Sequence, residues 1–418
     1  MANYSTATIT KKYHDEMVNW QRKNFPELAI LEKHWDEYFK GQPPFELVAK
    51  IGELKSDVVE VGQYAGHRRF EKAKEMVGNA FFSARDIIRA QCSTELGSIQ
   101  QHTLTLDRAI SDKGRFAVLR IMAEELRHAY QMFWVLDQDA TWKKPGLGDV
   151  AHQTIEELLA MDLGSHVLDA FNIDFGDFLD NVTYATVIDL VGKYQLEMQQ
   201  VFSYAPMARS MGPMLQEEAF HLGSGRTLLK EIAQMAARGE GDYSIEDMQR
   251  ALNLWYPRGL EMFGAESGGQ TAVTFGFKDR TNGVAQREYV EEVAGIVKNV
   301  NVAIVQQRVP ELSRPDAHAL VDELNNTRET KRGVRQEEVL FRPDHKFFRK
   351  RGVEEFAFRP YGVRGELLTE NGVPLPPESY LRYLSTVLPA NFIDGREYQK
   401  YRDQLLAHHA TAPNPSQA

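Results

Sequence analysis

Residues 121–132 read IMAEELRHAYQM and residues 214–225 read MLQEEAFHLGSG, so a Glu-Glu-x-x-His pattern occurs twice, 93 residues apart. In an α-helix, residues three positions apart lie on one face, about 4.5 Å apart along the axis. The second glutamate and the histidine of each copy can therefore bind one metal ion together. The two pairs are Glu125 with His128, and Glu218 with His221.

Each copy of the pattern has an acid on the predicted helix before it. Glu95 lies 30 residues before Glu125, and Asp189 lies 29 residues before Glu218. A turn-like segment falls near the midpoint of each interval, so we expect two antiparallel hairpins, each with both carboxylates at one level. Glu197, on the same helix as Asp189, would be displaced by roughly 12 Å at about 1.5 Å per residue, which favours Asp189.

These side chains match the ligand set of a four-helix bundle that binds two iron or manganese ions, with Glu-x-x-His on two helices and a carboxylate on each of the others. The predicted ligands are Glu95, Glu125, His128, Asp189, Glu218 and His221. Carboxylate-rich sites with two imidazoles suit iron or manganese better than zinc or copper. Two ferrous ions can reduce dioxygen together. The residues alone leave hydroxylation, epoxidation, desaturation, radical generation and iron oxidation for storage open.

Glu124 and Glu217 directly precede the ligand glutamates and would point about 100° away around the helix. They either orient a ligand imidazole or form salt bridges. Other polar residues near the motifs are predicted to be structural, namely Cys92, Tyr130, His166, Asp169 and Tyr194.

Composition limits the classes of partner. The chain has 418 residues, 43% of them hydrophobic and 26% charged, and its net charge is -10. This charge favours neither nucleic acid nor an anionic membrane as a partner, so an anionic ligand needs a local basic pocket. The first residues lack the apolar core of a secretory signal, no stretch is apolar enough to span a membrane, and Cys92 is the single cysteine. We expect a cytoplasmic protein.

Apolar residues spaced by three and four predict an all-α chain. Predicted helices cover residues 11–23, 26–40, 45–60, 67–78, 84–108, 116–136, 151–170, 181–203 and 213–235. Ser244 and Asp247 have the spacing of an N-cap and its partner, so a further helix should begin there, and helix should continue to about residue 307. Beyond Pro310, Gly and Pro punctuate a charged sequence, which predicts an extended, irregular C-terminal region and a disordered tail over residues 409–418. The predicted parts are N-terminal helices (1–80), the four-helix bundle (81–235), additional helices (236–310) and a C-terminal wrap (311–418).

Several segments resemble a known family. They are EELRH followed by AYQMFWVL, QCSTELGSIQQH, and VIDLVGKYQL followed by EEAFHLGSG. Over roughly residues 80 to 310 the chain is similar to the oxygenase subunit of benzoyl-CoA 2,3-epoxidase and, more distantly, to the catalytic subunit of phenylacetyl-CoA epoxidase. The resemblance implies a ferritin-like fold and a non-haem di-iron centre held by the six ligands named above. It also implies insertion of one oxygen atom of O2 into an aromatic coenzyme A thioester, with electrons from a separate NADPH-dependent flavin and iron-sulfur reductase.

Coenzyme A carries several phosphate charges, which require local cations. In LFRPDHKFFRKRG, basic residues alternate with phenylalanines that could cover an adenine ring. The predicted phosphate contacts are Arg342, Lys346, Arg349 and Arg351, with Lys350 beside them. A solvated loop is the alternative interpretation of this segment.

The first hypothesis is therefore a di-iron mono-oxygenase that acts on an aromatic acyl-CoA, with benzoyl-CoA 2,3-epoxidation as its specific form. An alternative keeps the metal centre but hydroxylates or desaturates another acyl substrate. A radical-generating protein is a further alternative. Iron storage is disfavoured because a minimal ferritin-like bundle needs well under half of the chain. A homodimer is one possible assembly.

Overall fold

The computed structural model describes residues 4–265, 267–349 and 359–411. Within these ranges the chain is mostly helical, which confirms the predicted all-α class. The helices are α1 (Lys11–Asn24), α2 (Leu28–Lys33), α3 (Trp35–Tyr38), α4 (Asn79–Thr103), α5 (Asp112–Asp137), α6 (Val150–Leu159), α7 (Phe178–Val187), α8 (Asp189–Gln199), α9 (Ala205–Arg238), α10 (Ile245–Met262), α11 (Gln270–Thr274), α12 (Asn282–Arg308), α13 (Arg314–Leu324), α14 (Pro377–Val387), α15 (Ala390–Ile393) and α16 (Arg396–Thr411). None of the helices among these residues is long and apolar enough to cross a membrane.

The strands of the described residues form short antiparallel pairs. The pairs are β1 (Tyr4–Ala7) with β2 (Ala49–Gly52), β3 (Lys143–Lys144) with β4 (Gly148–Asp149), and β5 (Thr369–Glu370) with β6 (Val373–Pro374). In the first pair, Tyr4 lies opposite Gly52 and Ala7 opposite Ala49.

The chain divides into two compact units, each built from several separate segments. The first unit comprises Met1–Phe178, Gly192–His221 and Ser267–Asn282, and the second comprises Leu179–Val191, Leu222–Glu266 and Gly283–Ala418. The first unit contains α4, α5, most of α8 and the N-terminal half of α9, which are the helices of the predicted ferritin-like bundle. The division of the chain into four consecutive parts stays a prediction.

Helices α4 and α5 form the first predicted hairpin. The Ser111 side chain accepts a hydrogen bond from the Gly114 amide and so caps α5, which satisfies one of the amides left free at a helix start. Cys92 Sγ lies 3.6 Å from the Ala129 carbonyl oxygen, and further along the hairpin Ser98 Oγ donates to Glu125 Oε1 at 2.6 Å. Residue numbers therefore increase along α4 in the direction in which they decrease along α5, so the two helices are antiparallel.

Helix α9 begins at Ala205, eight residues before the predicted start at 213, and contains Pro213. A proline inside a helix removes one backbone hydrogen bond, here to the carbonyl of Arg209. Strand β2 approaches at this point, since a Cβ on Gly52 would lie 3.1 Å from Arg209 O and 3.0 Å from Pro213 Cδ. The N-terminal strand pair thus packs closely against the part of α9 that proline disturbs.

Two predicted helices in the N-terminal part are wrong. The first, 45–60, contains strand β2, and the second, 67–78, is irregular apart from one 3-10 turn at Ala73–Glu75. Both segments are held by partners far away in the sequence: β2 pairs with β1, and the Phe70 amide donates to the Ser203 carbonyl at 2.8 Å. Local apolar spacing does not reveal such partners.

Other boundaries differ from the prediction in smaller ways. The predicted helix 26–40 is split into α2 and α3, the helix 151–170 ends at Leu159, and the helix 181–203 breaks at Ile188 between α7 and α8. Ser244 caps α10 as predicted, with the reciprocal Asp247 contact also present.

The C-terminal region is more helical than predicted. Its described part contains α13 to α16 between irregular segments. Helix α16 continues to Thr411, so the first three residues of the predicted disordered tail are helical. Arg351, Lys350 and residues 412–418 lie outside the described residues.

Candidate metal centre

Five of the six predicted ligands lie in the first unit, and all five are buried. They are Glu95, Glu125, His128, Glu218 and His221. Charged groups are rarely buried in proteins unless they are paired or bind a metal ion. Their burial is therefore the first structural sign of a metal centre.

The carboxylate of Glu218 lies between the two histidines. Its Oε1 is 3.9 Å from Nδ1 of His128, and its Oε2 is 3.6 Å from Nδ1 of His221. The two imidazole centroids are 5.8 Å apart. On the α4 side, Glu95 Oε2 lies 3.4 Å from His128 Nδ1. Each Nδ1 atom therefore faces ligand carboxylates.

Glu125 completes this arrangement on α5. One of its oxygens and a ring nitrogen of His221 lie within 4.8 Å of each other. Neighbours on α4 hold the carboxylates: Ser98 Oγ donates to Glu125 at 2.6 Å, and Gln91 Nε2 donates to Glu95 at 2.5 Å. Gln91 and Ser98 were not identified from the sequence, although both lie within one helical turn of Glu95.

Asp189, the sixth predicted ligand, is the first residue of α8 and is buried. The same helix continues to Gly192, where a Cβ would lie 3.4 Å from Glu218 Oε1. Residues three positions apart share one face of a helix, so Asp189 lies on the same face of α8 as Gly192. Its role as a ligand stays a prediction, and this placement is consistent with it.

Glu124 and Glu217 each contact the histidine of the other motif. Nε2 of His128 lies 3.0 Å from Glu217 Oε2, and Nε2 of His221 lies 3.2 Å from Glu124 Oε2. Carboxylates in this position fix the orientation and tautomer of an imidazole that binds a metal through its other nitrogen. These contacts fit the orienting role of the two glutamates, and the ion pairs described next show that the salt-bridge role is present as well.

Both supporting carboxylates also form ion pairs. Arg127 contacts Glu217 with Nη2 at 2.5 Å and with Nε at 3.2 Å, and Lys50 Nζ donates to the same carboxylate at 2.5 Å. Arg120 Nε donates to Glu124 at 3.0 Å. Arg127 lies inside the EELRH motif. Lys50 is 167 residues from Glu217, so sequence spacing could not identify it as a partner of that carboxylate.

The electrostatics of the site favour positive charge. Burial lowers the pKa of His128, but the Glu95 and Glu217 carboxylates outweigh it and raise that pKa to about 10. Burial also opposes protonation of His221, and the Glu218 and Glu124 carboxylates raise its pKa well above the usual value. The same pairing holds the pKa of Glu217 well below its usual range against the effect of burial. The carboxylates thus attract cations, which in the metal-free protein are protons.

The donor set fits two transition-metal ions. Among the described residues, His128 Nδ1 and Glu218 Oε2 are buried without a hydrogen-bond partner. Buried polar atoms without a partner are costly, and both point into the space between the ligand carboxylates and imidazoles. Metal ions would satisfy them and displace the protons from the histidines.

The structure separates the predicted phosphate contacts. Arg342 and Arg349 line one cavity of about 310 Å³ in the second unit, together with Arg287 and His345. Arg342 donates to the hydroxyl of Tyr256 at 2.6 Å. Lys346 does not line this cavity, and its ammonium lies 5.4 Å from the centroid of the Tyr361 ring. Arg351 is outside the described residues, and Arg287 was not identified from the sequence.

Two residues predicted to be structural have ordinary packing roles. His166 is buried between Ser93 Oγ at 3.2 Å and Gln100 Oε1 at 2.9 Å. The Tyr130 hydroxyl accepts from the Ile9 amide at 3.2 Å and so fixes the N-terminal segment on α5.

Comparisons with known proteins identify the family of the chain. A family model described as phenylacetic acid catabolic protein matches residues 122–333, just over half of the chain. Benzoyl-CoA oxygenase component B of Aromatoleum evansii is 26% identical over 233 residues, which are 52% of this chain and 49% of that protein. The chain thus spans about half the length of this curated relative. The matched range includes both Glu-Glu-x-x-His motifs and Asp189, and the chain belongs to the phenylacetic acid catabolic protein family.

Proposed function

We propose that the protein is the oxygenase component of a di-iron mono-oxygenase that inserts one atom of O2 into an aromatic acyl-CoA thioester. The specific reaction proposed is 2,3-epoxidation of benzoyl-CoA. The observation that carries the proposal is the crossed arrangement in which each motif orients the histidine of the other around buried carboxylates. The family match and the name of the relative support the same chemistry.

The metal ligands proposed are Glu95, Glu125, His128, Asp189, Glu218 and His221. Iron is the metal that we propose, with manganese as the alternative for the same donor set. When bound, the two ions supply the electrons and the Lewis acidity that oxygen chemistry needs.

The protein contributes orientation and a dry environment. Glu124 and Glu217 hold the imidazoles through Nε2, which leaves Nδ1 of each ring directed at the ligand carboxylates. Along α5, every residue from Ile121 to Leu136 is buried. A site enclosed in this way excludes water from reactive species. Burial of these residues therefore suits a reaction in which water must not react with the oxidising species.

Insertion of one oxygen atom leaves the second atom to be reduced to water, which takes two electrons and two protons. We propose that a separate NADPH-dependent reductase with flavin and an iron-sulfur cluster supplies the electrons. The name of the relative, component B, supports a system with several components. A cytoplasmic location follows from the need for this reductant and for coenzyme A thioesters.

We propose that the cavity lined by Arg287, Arg342 and Arg349 holds a phosphate group of the coenzyme A moiety. An arginine guanidinium group can donate two parallel hydrogen bonds to a phosphate. Three arginines line this cavity of about 310 Å³, against the single carboxylate of Glu291. Leu260 and Val290 add an apolar wall. Two of the four predicted contacts, Arg342 and Arg349, line this cavity, and Lys346 and Arg351 stay predictions.

A single turnover tests the proposed reaction. The protein is loaded with ferrous iron and mixed with benzoyl-CoA and labelled dioxygen, and the thioester is analysed by mass spectrometry. One labelled oxygen atom in the product is expected. Oxygen consumption with unchanged benzoyl-CoA would contradict this substrate, and loss of two hydrogens without label would favour a desaturase.

The same assay tests the metal ligands. The double variant Glu125→Ala with Glu218→Ala removes a carboxylate from each motif, so it should lose stoichiometric iron and all turnover. Ser385→Ala, an exposed change on α14, serves as the control and should keep both. An iron-replete, active double variant would refute the assignment.

A further inference from the structure

The two histidines have unequal electrostatic surroundings. Glu217, which supports His128, is within 3.2 Å of two cationic side chains, Lys50 and Arg127. Glu124, which supports His221, has one cation at 3.0 Å, and Arg127 approaches it only to 3.9 Å. Arg127 thus pairs with both carboxylates, but Glu217 has two cations in direct contact, whereas Glu124 has one in contact and one at 3.9 Å.

Lys50 is the residue that creates this difference, and its position is well defined. Its backbone amide donates to Gln131 Oε1 at 2.6 Å, one helical turn beyond His128. Gln131 in turn donates to Ser210 on α9 at 2.8 Å. The side chain of Lys50 is only 19% exposed, and its ammonium lies 5.0 Å from the centroid of the Tyr4 ring. The position of Lys50 is thus fixed by a backbone hydrogen bond to Gln131 and by side-chain contacts to Tyr4 and Glu217.

A supporting carboxylate strengthens an imidazole ligand by accepting its other N–H, which makes the ring a better electron donor. When cations already neutralise that carboxylate, the effect on the ring is weaker. A nearby ammonium also repels a divalent ion directly, and in a buried site this repulsion is poorly screened. Both effects act in the same direction at His128.

We propose that Lys50 is a positioning residue that acts through Glu217, and that its charge makes the metal position at His128 bind a divalent ion more weakly than the position at His221. The inference rests on the proposed two-metal centre. It assigns a function to the N-terminal strand pair, which brings a charge to the centre from outside the helices that carry the ligands.

The size of the effect follows from Coulomb's law. One unit charge about 10 Å away changes the affinity for a divalent ion by about 250-fold at an effective dielectric constant of about 20, and by about fourfold at about 80, so a change of about tenfold is a low estimate for a buried site. Removing the charge of Lys50 should therefore tighten the weaker position. If Lys50 only held Glu217 in place, its replacement should weaken metal binding, because loss of a group that orients a ligand usually lowers metal affinity by about 10- to 100-fold.

The experiment is a titration of the metal-free full-length protein with cobalt(II), followed by visible ligand-field absorption. The wild-type protein should bind two ions in two resolved steps. In Lys50→Met, which keeps the length of the side chain without its charge, the weaker step should tighten about tenfold while the stronger step changes little. Lys50→Arg retains the charge and should retain the wild-type difference.

Lys72→Met is the matched control, because Lys72 belongs to the same unit and pairs with Asp139 at 3.9 Å, away from the ligands. It should leave both steps unchanged. If Lys50→Met proves unfolded by circular dichroism, Lys50→Gln replaces it. Unchanged or weaker binding in the neutral variant, or two equal steps in the wild type, would overturn the inference. A wild-type protein that binds no cobalt would instead refute the two-metal centre itself.

Discussion

At the scale of the residue, two buried histidines show opposite pKa shifts. Carboxylates around His128 raise its pKa to about 10 against the effect of burial. Burial lowers the pKa of His166 to about 4, and Asp162 offsets this only in part. The ring contacts of His166 are to the neutral Ser93 and Gln100. The charge partners, rather than burial alone, therefore decide which histidine can hold a proton or a metal ion.

The low pKa of His166 predicts a loss of stability in acid. The unfolded chain binds a proton at this histidine below about pH 6.5, whereas the folded chain resists protonation until about pH 4. The contribution is therefore complete above about pH 6.5 and is lost as the pH falls toward 4. Between pH 7.5 and pH 5 it should amount to about 2 kcal/mol of the free energy of unfolding.

Urea unfolding at the two pH values measures this contribution. The variant His166→Gln lacks the titrating ring, so its free energy of unfolding should fall by about 2 kcal/mol less than that of the wild type. Ser385→Ala, an exposed change that removes no titrating group, is the control and should follow the wild type. Equal pH dependence in wild type and His166→Gln would contradict the prediction.

The sequence was sufficient to predict the residues with regular spacing. Glu125, His128, Glu218 and His221 were found because a helix places residues three apart on one face. Lys50 and Arg287 were not found, since each reaches its site through a contact between distant segments. No local pattern reports such a contact.

At the scale of the element, α9 contains two glycines with different surroundings. A Cβ on Gly225 would lie 2.7 Å from the carbonyl carbon of Ala185 on α7, a distance that real Cβ atoms do not reach. A Cβ on Gly223 would meet nothing within 4 Å. Gly225 therefore permits close packing of α7 on α9, whereas Gly223 only lowers the helix propensity.

These two glycines give a matched pair of variants. Gly223→Ala should raise the free energy of unfolding by about 0.5 to 1 kcal/mol, because alanine has the higher helix propensity. Gly225→Ala should lower it by about 1 to 3 kcal/mol, because the backbones must separate. Urea unfolding of both variants measures the difference. Stabilisation by Gly225→Ala would show that α7 and α9 are not in close contact there.

Helices could be predicted from the sequence where capping residues or apolar spacing within the helix itself indicate them. The capping pair at Ser244 and the apolar spacing of α4 and α5 led to correct helices. Strand β2 was mistaken for helix, because the strand forms only through its pairing with β1, more than 40 residues earlier. The break at Ile188 and the extension of α9 through Pro213 were not predicted either.

At the scale of the whole molecule, a net charge of -10 opposes the binding of an anionic thioester. Local cations must overcome this repulsion, and the cavity with Arg287, Arg342 and Arg349 provides three beside the single carboxylate of Glu291. The distribution of charge, rather than its total, thus determines where such a ligand can bind. The sequence predicted this need, but its candidates were chosen from one linear segment.

The double variant Arg287→Ala with Arg349→Ala should raise the KM for the acyl-CoA about tenfold or more, since each lost phosphate contact is worth about 1 kcal/mol or more. Iron content should not change, because neither residue is a predicted ligand. Steady-state kinetics and metal analysis measure the two quantities. Arg332→Ala, a change at a side chain that is 58% exposed, is the control. An unaltered KM in the double variant would exclude this cavity as the phosphate site.

The crossed support of the two motifs also determines when the centre can form during protein synthesis. Glu217 lies 89 residues after His128 and 167 residues after Lys50. On the ribosome, His128 and Lys50 therefore emerge long before the carboxylate that joins them. Chains released before residue 217 would contain the first motif without the carboxylate that supports its histidine, and a metal ion would meet half of the proposed centre. The proposed two-metal centre therefore requires a chain that extends at least to His221.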